Sequence, residues 1–114
     1  MYKGKLWLDY QDKHKPEHYE ATVERFILRD TSAVFEFSGY DGEEGHYSGS
    51  CSATKNKDEY SGVGEFTYPD GTVCKAKVMF TIEENDKELV LSGSWADDQD
   101  SGSPYELAAE LQKN

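Results

Sequence analysis

Asp98-x-Asp100-x-Gly102 opens with the carboxylate spacing of a calcium loop. His14 and His18 stand four residues apart, the interval at which two imidazoles on one helix face can grip a metal. Neither develops into a site. The calcium frame has Gly102 at its fifth position and Ala109 at its twelfth, where a bidentate Glu belongs. Pro16 lies between the two histidines in a charged stretch, which makes a loop of that segment. No nucleophile elbow, metal-ligand set or phosphate-cradling loop occurs. Carboxylates are abundant, but a catalytic pair needs an enclosed site that sets the two pKa values apart. The expectation is a binding protein and not an enzyme, with no metal and no cofactor.

What does gather is acid. The chain carries 23 Asp+Glu against 12 Lys+Arg, a formal net charge of −11, and the acids concentrate in the breaks between segments that alternate apolar and polar side chains. Those segments must position them. Lys5 to Tyr10 puts Leu6, Leu8 and Tyr10 on one face. Residues 18 to 28 put Tyr19, Ala21 and Val23 together and then shift phase to Phe26 and Leu28, so a bulge near Glu24 and Arg25 is expected. The third segment aligns Ala33, Phe35 and Phe37, and the fourth Tyr47, Gly49, Cys51 and Ala53. Gly62, Gly64, Phe66 and Tyr68 share a face in the fifth, and Pro69-Asp70-Gly71 turns the chain into Cys74, Ala76, Val78, Phe80 and Ile82. Leu89, Leu91, Gly93 and Trp95 align in the seventh.

The last segment has two readings. Ser103-Pro104-Tyr105-Glu106 resembles a helix start, with a cap, Pro at the first helical position and Glu at the third. Tyr105, Leu107, Ala109 and Leu111 instead alternate as in a half-buried strand. Topology favours the strand, because an eighth antiparallel strand falls beside the first and hides both sheet edges. The expected fold is all-β, a single domain over residues 1–114: an antiparallel up-and-down meander of about eight strands forming a small barrel or barrel-like sandwich. Seven strands plus a C-terminal helix is the alternative.

Consecutive strand order would put alternate connections at the same end. One rim would then hold Asp12, Glu17, Asp41, Glu43, Glu44, Asp70, Asp97, Asp98 and Asp100 against Lys13 and Lys15. The other would hold six acids against four bases. Such a polarised field repels nucleic-acid phosphate and anionic lipid and attracts basic proteins. The expected partner is therefore a basic protein, with no direct nucleic acid and no membrane. Its sharpest form is an immunity protein plugging the cationic cleft of a bacterial nuclease toxin. Tyr40, Asp41, Glu43, Glu44, Asp70, Trp95, Asp97, Asp98 and Asp100 would make the contact, with Tyr40 and Trp95 as aromatic anchors. Plain solubility is the bland explanation of the same charge.

The rival expectation is a barrel that binds a small apolar or anionic ligand among Phe35, Phe37, Phe66 and Trp95, with Arg25 pointing inward. Glycines at 49, 62, 64 and 93 would either leave room there or relieve strand coiling.

Residues 62–71, Gly-Val-Gly-Glu-Phe-Thr-Tyr-Pro-Asp-Gly, resemble the second half of a MORN repeat, and Tyr47-x-Gly49 resembles the opening of one. The resemblance implies a hairpin at 62–71. A MORN array with lipid or scaffold roles needs several stacked copies, and no second intact copy is present. As an architecture, eight short strands are similar to avidin-like and calycin-type barrels, whose binding motifs do not occur here. Fold analogy alone carries no function.

Eight Tyr, five Phe and two Trp supply the core despite a hydrophobic fraction of 36%. Cys51 and Cys74 are expected as free, buried thiols. The first residues interleave charge with apolar side chains, unlike a secretory leader, so a cytoplasmic protein is expected.

Overall fold

The computed structural model describes residues 2–10, 17–41, 45–98 and 104–113. Eight strands follow one another: β1 (Tyr2–Tyr10), β2 (Glu17–Leu28), β3 (Ser32–Asp41), β4 (Gly45–Asn56), β5 (Glu59–Thr67), β6 (Val73–Glu84), β7 (Glu88–Asp97) and β8 (Tyr105–Lys113). They pair in sequential order into a closed antiparallel barrel. The expected meander is what forms, and the contested last segment is a strand.

Its reason is tertiary. Without β8, both β1 and β7 would present an unpaired edge. β8 satisfies both at once: Leu107 is in register with Leu8 on one side and Gly93 on the other, and Ala109 with Leu6 and Leu91. A helix over the same residues would bury Leu107 and Leu111 but leave those backbone groups open.

The phase shift in β2 is a bulge. Val23 pairs with Phe37 of β3, and the next pair is Arg25 with Glu36, which leaves Glu24 as the extra residue. β1 registers the same insertion, between Tyr2↔Phe26 and Gly4↔Val23. The bulge turns two successive side chains, Glu24 and Arg25, to the outside, and both are exposed. Arg25 therefore does not point into the barrel, which corrects the expectation that it meets an anion there.

The turn at 69–71 is a three-residue hairpin loop. Gly71 N–H donates to the Tyr68 carbonyl at 2.9 Å, Tyr68 N–H donates to the Thr72 carbonyl at 2.9 Å, and Gly71 takes φ +90°. Pro69 suits the first corner of such a turn, and only glycine occupies the left-handed position without strain.

Inward side chains fill the barrel in layers. At the end near Tyr2, Phe26 stacks on Phe35 with centroids 5.3 Å apart, and Tyr60 on Phe80 at 5.3 Å. Tyr2 closes that end edge-on to Phe26 and donates its hydroxyl to Glu84. β1 and β5 begin earlier than alternation alone suggested, and their first residues bring Tyr2 and Tyr60 into the core. In the middle, Phe37, Phe66 and Trp95 meet with centroids 4.9 to 5.9 Å apart. Each large aromatic removes ~150–250 Å² from water, so these layers dominate the burial energy.

Gly49 and Gly64 are covered by the rings of Phe37 and Trp95, whereas Gly62 and Gly93 let their strands approach the backbone of the next one. The ring of Trp95 lies over Gly64, where any Cβ would stand within 3.0 Å of the indole. A large side chain on one strand thus occupies the notch left on another, as curved sheets require.

Candidate ligand pocket at the mouth of the barrel

Packing stops short at one end. The last residues of β1, β3, β5 and β7 and the first residues of β2, β4, β6 and β8 lie together there, as consecutive antiparallel order requires. Just inside them is a cavity of about 30 Å³.

The wall residues lie at or one step below the last inward position of their strands at this end. β1 supplies Leu8, in register with Tyr19 of β2. β4 supplies Tyr47, and β5 supplies Phe66 followed by Tyr68. β6 contributes Cys74, across from Phe66. β7 contributes Trp95 and then Asp97, two residues on and on the same face, while β8 contributes Tyr105 in register with Trp95. Among the described residues β3 supplies no wall residue, and its Gly39 makes room for a ring of β4. Tyr47 lies across that glycine, and its hydroxyl donates to the Glu20 carbonyl at 3.1 Å.

Aromatic rings cluster along two stretches of the rim. Tyr19 and Tyr105 have centroids 5.9 Å apart, Tyr10 and Tyr105 5.0 Å, and Tyr47 and Tyr68 6.2 Å. Tyrosine suits this depth because its ring can face the core while the hydroxyl meets polar groups. Asp97 adds the site's carboxylate, with Oδ1 shielded from solvent. Just past the strand, Asp98 N–H donates to the Lys75 carbonyl at 2.8 Å, which anchors that corner to β6.

The electrostatics inside are negative. The Cys74 thiol is pushed up first by burial and then by the charges of Asp97 and Asp70. Asp70 is held below the usual carboxylate range by the Thr72 backbone N–H, which donates to it at 2.8 Å. Deeper in the core, burial pushes the Cys51 thiol up to about 12. Both cysteines are free, Cys51 buried and Cys74 half-buried.

Of the expected ligand residues, Phe66 and Trp95 line the cavity, Phe35 and Phe37 lie deeper in the packed core, and Arg25 is on the outer wall. Of the expected protein-binding residues, Trp95 is 1% exposed and forms wall, not surface anchor, because its parity on β7 faces inward. Asp97 shares that parity. Tyr40 is 65% exposed, and Asp70 and Asp98 are exposed. The side chain of Asp41 and all of Glu43, Glu44 and Asp100 lie outside the described residues, as do Asp12, Lys13, His14 and Lys15. His18 pairs with Asp9. Among the described residues no group of three or more His, Cys, Asp or Glu could hold a metal.

Alternation places Leu8, Tyr19, Tyr47, Tyr68, Cys74 and Tyr105 on inward faces but does not by itself group them as a site. The signal was present. Tyrosine is the terminal inward residue of several strands at one end, and Asp97 continues the inward parity of Trp95.

No protein-family model and no curated protein matches the chain. No MORN, avidin or calycin match therefore accompanies the local and architectural resemblances. Three solved structures are similar over nearly the whole chain. A redesigned β-barrel, mFAP1, bound to DFHBI has TM-score 0.57 and 15% identity over 98% of this chain and 92% of that one. EF1p2_mFAP2b bound to DFHBI has TM-score 0.56 and 16% identity over 99% and 91%. A de novo designed fluorescence-activating β-barrel has TM-score 0.50 and 17% identity over 97% and 92%. At such identities the likeness shows the fold.

Proposed function

We propose that this chain is a small-ligand-binding barrel that takes a compact organic group into its tyrosine-lined mouth. The carrying observation is the uneven filling of the interior: aromatic layers pack the closed end and the middle, then stop below a cavity of about 30 Å³ that one carboxylate enters. Small-molecule sites are concave and lined largely by apolar and aromatic side chains with a few placed polar groups; this cavity is small, so it takes only the end of a ligand. Two similar barrels, mFAP1 and EF1p2_mFAP2b, are bound to DFHBI, so this architecture holds a ligand in other chains. The role is binding and not catalysis. The cysteine in the wall has its thiol pKa raised, the reverse of an activated nucleophile.

Native mass spectrometry of the purified protein, with Trp95 emission followed in a Trp7→Phe background, tests this reading. Trp7 sits half-buried on the outer wall, so its removal leaves the pocket's indole as the reporter. A small-molecule adduct or a saturable emission change is expected, and Cys74→Phe, which fills the cavity, should abolish it with the fold retained. A protein that carries nothing and whose Trp95 responds to no compound in a broad set would end the proposal.

A second reading keeps the acidic end as a surface for a basic protein such as a nuclease toxin. The strand order supports it by gathering the ends of β1, β3, β5 and β7 at one pole, where Tyr40, Asp70 and Asp98 are exposed. Neutralising Asp41, Glu43, Glu44, Asp70, Asp98 and Asp100 should slow association with a basic nuclease and flatten its salt dependence. Unchanged association would remove this reading.

A further inference from the structure

The ligand's chemistry follows from the wall, on the premise that the mouth pocket is a ligand site. We propose that it selects a primary ammonium group.

Sign comes first. Asp97 is the acid in the wall, and among the described residues no Lys, Arg or His lines the cavity. Its carboxylate is placed there by register: Asp97 pairs with Ala76, a buried inward residue, and follows Trp95 on the same face. The nearby hairpin adds the charge of Asp70, felt within the pocket at Cys74. An entering anion would meet these charges with no cationic side chain among the described wall residues to receive it. A like charge held close in a partly dry wall repels, and an opposite charge there attracts, strongly enough to decide between ligands of opposite sign.

The walls agree with that sign. Tyr19, Tyr47, Tyr68, Tyr105 and Trp95 surround the space, and aromatic faces carry the negative part of the ring quadrupole. A cation held among them gains from the rings as well as from Asp97. Phenol oxygens also accept hydrogen bonds, and an ammonium offers three donors.

Size then chooses among cations. A cavity of about 30 Å³ admits roughly two waters, on the rule that one needs about 10–15 Å³. A CH2–NH3⁺ terminus fits that space. A trimethylammonium group does not. The remainder of the ligand would extend past the tyrosines toward the rim.

The test uses the full chain with Trp7→Phe at pH 7 and constant ionic strength, following Trp95 emission. Three probes share one butyl tail: n-butylammonium, 1-butanol and pentanoate. The ammonium should bind about tenfold or more tightly than the alcohol, and pentanoate should not saturate. In Asp97→Asn the gap between ammonium and alcohol should shrink to about twofold. Binding of 1-butanol or pentanoate as tight as that of the ammonium would overturn the ammonium assignment while leaving the pocket a ligand site. Tighter binding of tetramethylammonium would overturn the choice of a primary amine. Silence from all probes would remove the ligand-binding premise itself. Should Asp97→Asn not fold, the ranking of the probes on the parent protein decides.

Discussion

The indole of Trp95 on β7 lies across Gly64 on β5, one strand beyond its direct neighbour β6, and occupies the volume a side chain at 64 would need. This pairing sets the floor of the mouth pocket. The same ring that seals the middle of the barrel forms the base of the cavity above it.

Gly64→Ala should therefore lower stability by about 1–3 kcal/mol, the usual penalty of overpacking a closed core. Urea denaturation measures it. Because Trp95 must tilt to admit the methyl group, its emission should also shift. A neutral substitution with unchanged emission would mean that the indole is not seated on Gly64.

Lys57 sits in the two-residue connection between Asn56 and Glu59 with φ 59°, a left-handed conformation that disfavours a Cβ. Lys57→Gly should stabilise the protein by about 0.5 kcal/mol, the relief of strain being partly offset by the greater entropy of an unfolded glycine. A fall in the urea midpoint would contradict the assignment.

Alternation in β8 makes opposite demands on neighbours. Leu111 is fully buried, so Leu111→Ala should cost about 2–5 kcal/mol. Glu110, on the outside, should tolerate Ala within about 0.5 kcal/mol. Paired denaturation curves would expose any departure from the strand.

Stability should fall in alkali. Burial raises the Cys51 thiol from 9.0 to about 12, so above pH 9 the unfolded chain releases a proton that the folded chain retains. The contribution is complete below pH 9 and is lost between about 9 and 12 at up to about 1.4 kcal/mol per pH unit. Tyr2 acts in the same direction, its pKa raised by its hydrogen bond to Glu84, by burial and by the charge of Glu84. Urea midpoints from pH 8 to 11 should decline, and Cys51→Ala should flatten the slope. An equally steep decline in that variant would assign the effect elsewhere.

Local periodicity determined much of this protein. The period of two named inward faces in the first seven strands, the phase slip at Glu24 and Arg25 announced the bulge, and Pro69-Asp70-Gly71 announced the hairpin. These are properties of a few consecutive residues, so a single chain segment suffices to display them.

Closure was decided only in three dimensions. Residues 105–113 carry both helix and strand character, and the two open edges of β1 and β7 chose between them. The bulge revealed that the face changes but not that Arg25 turns outward, because that direction depends on the register with β1 and β3. The pocket lies furthest from the sequence. Its tyrosines and Asp97 come from separate strands and meet only because the barrel closes at this diameter, with Tyr47 covering Gly39 and Trp95 covering Gly64. Alternation tells each side chain which way to face; how far the facing side chains reach across the barrel, and where they stop, is set by the packing of all eight strands at once.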